Sequence, residues 1–152
     1  MNQYHEDYTE ALSEDLDDSY RRKKYDAAQQ KYYKAFDYIY QHEVQLIMAE
    51  ATEEECEGKI TFLLQSIPVE GEKHGSSYAR SAYFRWSQHF NSLCNNILTL
   101  AINRKNQKLA RFILMQYVED DYNWINNEYK SIERNKAEKK YQEAVNLGMF
   151  ED

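Results

Sequence analysis

Apolar residues recur at every third or fourth position along almost the whole chain between Ser19 and Leu147. An α-helix turns once in about 3.6 residues, so this spacing places the apolar side chains on one face of successive helices. The chain contains one proline and four glycines, so few residues interrupt the pattern. The sequence therefore predicts an all-α protein, either a single-domain helical bundle or a short array of helix pairs, with about five to six helices.

Polar residues mark where the first helices begin and end. Ser19 is expected to cap a long first helix that breaks near Ala51, and Thr52–Glu55 is the capping box of the next helix. The segment Ser66–Ser77 contains the only proline and two of the glycines, which predicts a loop. Ser77 is then expected to cap a central helix with a wide apolar face.

The C-terminal part of the chain is predicted to hold two more helices. A polar turn at Asn103–Asn106 precedes a short, strongly apolar helix. Asp120 or Asp121 is then expected to cap a last helix that directs Ile125 and Tyr129 towards the core.

The net charge of −7 is concentrated at the N-terminus. The first 19 residues contain seven acidic residues and no lysine or arginine, so the chain from Tyr20 onward is neutral. We predict an acidic arm or short helix at 1–18, a helical domain at 19–148 and an acidic tail at 149–152. Because the basic run Arg21–Lys24 follows the arm directly, the arm can lie back on it or reach a basic partner.

Two local patterns resemble repeat families built from helix pairs. Tyr25–Phe36, with alanines at positions 28 and 35, resembles the second helix of a tetratricopeptide repeat, and Ala137–Val145 repeats the core of that pattern. Asn96–Ile102, followed by Asn106 and Leu109–Leu114, resembles a single ankyrin repeat. Both families are scaffolds that bind other proteins, so the resemblance implies packed helix pairs and a binding role.

Residues that could hold a metal or perform catalysis do not occur at the required spacings. None of the four histidines follows a glutamate by three residues, as di-iron helical bundles need, and His42-Glu43 lacks the second histidine of a zinc helix. Cys56 and Cys94 lie on apolar helix faces, so both are predicted to be free, buried and unreactive. We therefore predict no catalytic residue, no cofactor and no metal.

The favoured hypothesis is a non-catalytic helical protein that acts by binding a partner protein, as an inhibitor, an immunity-type partner of a toxin or a dedicated chaperone. Its 14 tyrosines suit a partner interface, because the rings are apolar and their tips polar. The acidic arm would attract a partner with a basic surface. The residues expected to contact the partner are Glu14, Asp15, Asp17, Asp18, Tyr20, Tyr33, Tyr38 and Tyr40.

Two other classes of function stay open. Carboxylates at Glu6–Asp18 and Glu50–Glu57 could imitate nucleic-acid phosphates and block a nucleic-acid-binding enzyme. A helical enzyme would need a pocket that holds His42 or His89 beside a carboxylate.

The setting of the protein is predicted from what the sequence lacks. Its N-terminus has no basic start or apolar run of a signal peptide, and no apolar stretch is long enough for a membrane span. We expect a cytoplasmic protein with no membrane partner. Direct nucleic-acid binding is not expected, because opposite charges adjoin Arg21–Lys24. A homodimer is an open alternative, since the first helix has a broad apolar face.

Overall fold

The computed structural model describes Tyr4 and residues 19–151, with side chains from Arg22 onward. Helices dominate these residues, which confirms the all-α class. They are α1 (Ser19–Glu50), α2 (Glu53–Gln65), α3 (Ser77–Asn103), α4 (Gln107–Leu114) and α5 (Ile132–Asn146). One small antiparallel sheet, β1 (Asp121–Asn123) with β2 (Glu128–Lys130), lies between α4 and α5 in the chain. The predicted acidic arm lies outside the described residues.

The chain divides within α1 into two compact units, Met1–Glu43 and Val44–Asp152. In the first unit α1 buries four aromatic side chains that recur at helical spacing: Tyr32, Tyr33, Phe36 and Tyr40. Ring centroids are 4.8 Å apart in both the Tyr32–Tyr33 and the Phe36–Tyr40 pairs, with edge-to-face geometry. We call this set the α1 aromatic row. The domain boundaries at 18 and 148 stay predictions.

Side-chain caps define the starts of three helices. The Thr52 hydroxyl accepts the amide N–H of Glu55 at 3.3 Å, as the capping box predicts, and α1 ends just before it at Glu50. Asn106 caps α4 by accepting the amide of Leu109 at 3.1 Å. The cap of α3 is Ser76 and not the predicted Ser77. Ser76 has an extended backbone, and its side-chain hydroxyl accepts the amide N–H of Ala79, the third residue of the helix.

Helix α3 is the central element of the second unit, as its wide apolar face predicts. It buries residues from Ala82 to Ile102 along its length, and α4 packs against it through Leu109, Ala110 and Ile113. The short turn Arg104–Asn106 joins these two helices, which pack against each other. Cys56 and Cys94 are free and buried, as predicted.

The predicted start of the last helix is wrong. Residues 121–130 form a β-hairpin, and α5 begins only at Ile132. Tyr122 pairs with Tyr129 across the two strands, whereas Ile125, which we expected in the core, is 93% exposed. The side chains that looked like one face of a helix therefore belong to two strands and the loop between them.

Asparagines explain why this segment turns and does not continue as a helix. The Asn123 carboxamide oxygen accepts the amides of Ile125 at 2.9 Å and Asn126 at 3.2 Å, so it satisfies the backbone locally. Asn127 adopts the left-handed conformation with φ 54°, which asparagine tolerates better than most residues. These local bonds favour a four-residue turn, Trp124–Asn127, over the α-helical alternative.

Candidate functional site

The tip of the β-hairpin presents two large apolar side chains to water. Trp124 is 72% exposed and Ile125 is 93% exposed. The Trp124 ring contacts Tyr122 edge-to-face at a centroid distance of 4.5 Å. The guanidinium carbon of Arg80 lies 5.0 Å from the Trp124 ring centre and 5.8 Å from that of Tyr122. The indole is thus held at the surface by a ring and a cation.

The hairpin rests on the N-terminal half of α3 through aromatic contacts. Tyr129 stacks on Phe84 with centroids 6.1 Å apart, and it contacts Tyr122 across the strands at 4.8 Å. Arg80 and Phe84 lie one turn apart on α3, so their side chains project from the same face of the helix, and the hairpin packs against that face. We call Arg80, Phe84, Tyr122, Trp124 and Tyr129 the hairpin cluster.

The loop before α3 is tied to the same cluster. The Tyr129 hydroxyl donates to the backbone oxygen of Lys73 at 2.6 Å, and the Lys73 ammonium lies 5.1 Å from the centre of the Tyr129 ring. Lys73 also pairs with Glu119 at 3.0 Å between Nζ and Oε2. This hydrogen bond lowers the pKa of the Glu119 carboxyl below its ordinary value.

Asn91, which is buried, and Asn95, which is partly buried, fix the chain that leads into the hairpin. The Asn91 side chain donates to the Val118 oxygen at 2.9 Å and accepts the Val118 amide at 3.0 Å. The Tyr117 hydroxyl donates to Asn95 Oδ1 at 2.5 Å, and Asn95 donates to Glu133 Oε2 at 3.1 Å. Desolvation raises the pKa of the Tyr117 phenol, so it stays a neutral donor.

Asp120 anchors the other side of the hairpin. Its two carboxylate oxygens accept the first amides of α5, from Ile132 at 2.8 Å and from Glu133 at 3.0 Å. Its own amide donates to the Lys130 oxygen at 2.9 Å. Because both strands are fixed at their base, the exposed tip stands on a rigid support.

A groove of about 580 Å³ runs between α3 and the hairpin. Arg80, Arg85 and His89 of α3 line one side, and Asp121, Tyr122 and Trp124 line the other. A second groove of about 620 Å³ adjoins it, since Gln88, Asp120 and Asp121 border both. Basic, acidic and aromatic groups therefore meet along one face of the second unit.

Three of the sequence-predicted contact residues have described side chains, and all three lie in α1. Tyr33 and Tyr40 are buried in the α1 aromatic row, whereas Tyr38 is 75% exposed and stacks on His42 at a centroid distance of 6.3 Å. The four acids Glu14, Asp15, Asp17 and Asp18 and the side chain of Tyr20 lie outside the described residues. A role of these residues in partner binding stays a prediction.

The hairpin could have been found in the sequence from its residue types. Strand-favouring tyrosines at 122 and 129 flank a segment with asparagines at 123, 126 and 127, which are turn formers. However, Tyr122, Ile125 and Tyr129 are also spaced three and four residues apart, as on one face of a helix. Over the long C-terminal segment this helical spacing was the clearer of the two patterns.

The described residues give little support for metal or thiol chemistry. Within Tyr4 and residues 19–151, no three histidine, cysteine or acidic side chains are grouped closely enough to hold a metal ion. Burial raises the pKa of the Cys94 thiol far above neutrality, so this thiol stays protonated. No helix in this part of the chain combines the length and the apolar character that crossing a membrane requires.

Comparison with known proteins does not assign the chain to a family. The chain matches no protein family, no curated protein and no solved structure.

Proposed function

We propose that the protein binds another protein and that the hairpin tip, with the groove beside it, forms the contact surface. The observation that carries this proposal is the exposure of Trp124 and Ile125 on a turn whose base is fixed by Asn91 and Asp120. Exposed tryptophan is costly to hydrate, and buried tryptophan is among the strongest anchors of protein interfaces. A turn that is already ordered loses little conformational entropy when it binds.

The binding is non-catalytic in this proposal, and the protein acts as an inhibitor, an immunity-type partner or a dedicated chaperone. The acidic arm would speed encounter with a partner that carries a basic surface elsewhere. Two free buried thiols suit a reducing compartment, which supports a cytoplasmic setting.

The test compares exposed apolar side chains at two places. The full chain and the double variant Trp124→Ala/Ile125→Ala are used to capture proteins from the native cell extract. The matched control is Phe62→Ala/Leu147→Ala, which removes side chains that are 78% and 77% exposed away from the hairpin. We expect the hairpin variant to lose a stoichiometric partner that the control retains. A partner retained by the hairpin variant and lost by the control would overturn the proposed surface.

Nucleic-acid mimicry receives less support from the described acids. Glu55 pairs with Lys59 at 3.5 Å, and Glu57 pairs with Lys108 at 3.4 Å, so lysines offset part of the negative charge at the start of α2. A mimic needs its carboxylates displayed to a basic channel. If the captured partner were displaced by a polynucleotide, mimicry would replace simple protein binding as the proposed mechanism.

An enzymatic function is the second candidate, because His89 lines the groove together with Asp120 and Asp121. Asp120 uses both carboxylate oxygens to cap α5, so Asp121 is the lining carboxylate that could take part in acid–base chemistry with His89. Hydrolysis of activated carboxyl esters and phosphate esters by the wild type and by His89→Ala tests this candidate. Turnover that disappears in the variant would favour it over a binding role.

A further inference from the structure

The guanidinium of Arg80 has unused hydrogen-bonding capacity in the groove. Arg80 is half-buried, and its charged group lies against the Trp124 and Tyr122 rings. Among the residues that the structure describes, this guanidinium makes no hydrogen bond and no ion pair. Contact with aromatic rings uses the face of the planar group, whereas its five N–H donors lie at the edge. A fixed, partly desolvated fork of donors therefore remains without an acceptor.

Two acids beside the hairpin are already engaged by other groups. Asp120 accepts two amides of α5, and Glu119 pairs with Lys73. Asp121 is exposed on β1, opposite Lys130 in the strand pair. Within the described residues no carboxylate lies within ion-pair distance of Arg80, so these donors are available to a ligand carboxylate that displaces water.

We propose that the groove binds an acidic peptide segment of the partner protein, in which one Asp or Glu carboxylate pairs with Arg80 through two N–H donors. An apolar side chain next to that acid packs on Trp124 and Ile125. This inference rests on the proposed function and names the chemistry of the segment that the same site recognises. Paired hydrogen bonds between arginine and a carboxylate are directional, so they fix the register of the peptide along α3.

Charge favours a peptide carboxylate over a polyphosphate. Arg80, Arg85 and His89 line one wall of the groove, but Asp120 and Asp121 lie on the other. A single carboxylate can pair with Arg80 while it avoids those acids, whereas a nucleic-acid strand would bring several phosphates close to them.

The planar shape of arginine is essential to this site. Lysine at position 80 would keep the positive charge, but it has no planar group to stack on two rings and no fork for a carboxylate. Arg80→Lys should therefore weaken peptide binding nearly as much as Arg80→Gln. That result would separate paired hydrogen bonding from simple charge attraction.

The experiment uses the full chain and a phage-displayed library of short random peptides as the probe. We expect selected peptides to share one Asp or Glu beside an apolar residue. The best peptide should bind Arg80→Gln and Arg80→Lys about tenfold or more weakly, a change of about 1.4 kcal/mol or more in binding free energy. The control Lys139→Gln, which removes an exposed positive charge on α5, should bind as the wild type does.

A double-mutant cycle completes the test. Replacing the acid of the selected peptide by its amide should weaken binding to the wild type but should have little further effect on Arg80→Gln. Circular dichroism of each variant shows that the helical fold is intact. Selected peptides without an acid, full affinity of Arg80→Gln, or tighter binding of a single-stranded oligonucleotide in the groove would each overturn the inference.

Partner capture separates failure of this inference from failure of the proposed function. If Trp124→Ala/Ile125→Ala loses the partner but Arg80→Gln retains it at full strength, the hairpin binds protein and the acidic-segment inference is wrong. If the hairpin double variant retains the partner, the hairpin tip is not the contact surface and that part of the proposed function is wrong, whatever the peptides show.

Discussion

The α1 aromatic row and the hairpin cluster use the same ring geometry in opposite environments. Tyr32 and Tyr33 meet at 4.8 Å and 83°, and Tyr122 and Trp124 meet at 4.5 Å and 85°. Yet Phe36 in the row is 1% exposed, whereas Trp124 in the cluster is 72% exposed. The geometry of ring contacts therefore does not show whether aromatic residues form a core or an exposed surface. The backbone that carries the rings determines whether they are buried or exposed.

The supporting backbones explain this difference. In α1 the rings project from one stripe of a continuous helix, where burial keeps them together. In the hairpin the rings are held by polar bonds at the base of the strands, such as those of Asn91 and Tyr129. Rings fixed by polar bonds can face water without loss of order, which is what a binding surface requires.

The largest expected contrast is in stability. Phe36→Ala should lower the free energy of unfolding by about 3–5 kcal/mol, because it leaves a cavity in a buried row. Trp124→Ala should lower it by less than about 1 kcal/mol, since most of that indole already contacts water. Urea denaturation followed by circular dichroism measures both. Equal losses would show that the hairpin cluster is part of the core and would remove the comparison.

The helices could be predicted because several independent sequence features indicate the same structure. In α3, apolar spacing, a serine cap and the absence of glycine and proline all indicate a helix. The cap was misplaced by one residue only because two serines adjoin, and sequence does not show which hydroxyl reaches the amide of Ala79.

The hairpin and its groove could not be predicted in the same way. Ile125 and Tyr129 are four residues apart, a spacing that predicts one face of a helix. This prediction fails because Asn123 accepts nearby backbone amides and Asn127 adopts the left-handed conformation, and both favour a turn. The contact between Arg80 and Trp124 joins residues 44 positions apart, and local periodicity carries no information about such a pair. The turn could therefore have been recognised from its asparagines, but its contact with Arg80 and the groove between them could not be predicted.

Loss of the polar support should be the next largest effect. Asn91→Ala removes both hydrogen bonds to Val118 and should lower the free energy of unfolding by about 2–3 kcal/mol. Amide hydrogen exchange in residues 121–130 should accelerate more than exchange in α1. The control Asn103→Ala, at the exposed end of α3, should change neither measurement. Uniform acceleration through both units would contradict a local role for Asn91.

A smaller effect is expected from the hydroxyl of Tyr129. Tyr129→Phe keeps the ring on Phe84 but removes the donor to Lys73, so it should cost about 1 kcal/mol. Tyr129→Leu should cost more, because it also removes the ring contacts. Denaturation midpoints rank the two variants. If Tyr129→Phe were as damaging as Tyr129→Leu, the hydroxyl and not the ring would hold the loop to the hairpin.

The smallest effect should appear in the dependence of stability on pH. Because Lys73 lowers the pKa of Glu119 in the folded state, the pair stabilises the fold above the ordinary glutamate pKa of about 4.3, and this contribution is lost as pH falls through the lower folded value. Both side chains are partly exposed, so solvent screening limits the gain to less than about 1 kcal/mol. Glu119→Gln should lower stability slightly at pH 7 and flatten the decline as pH falls below the ordinary glutamate pKa. High salt should shrink the difference between the variant and the wild type, because it screens the pair. Phe36 carries no charge, so the loss caused by Phe36→Ala should be nearly the same in low and high salt. A salt-dependent Phe36→Ala loss, or a Glu119→Gln protein with the wild-type pH profile, would show that the two aromatic clusters are not distinguished by charged support.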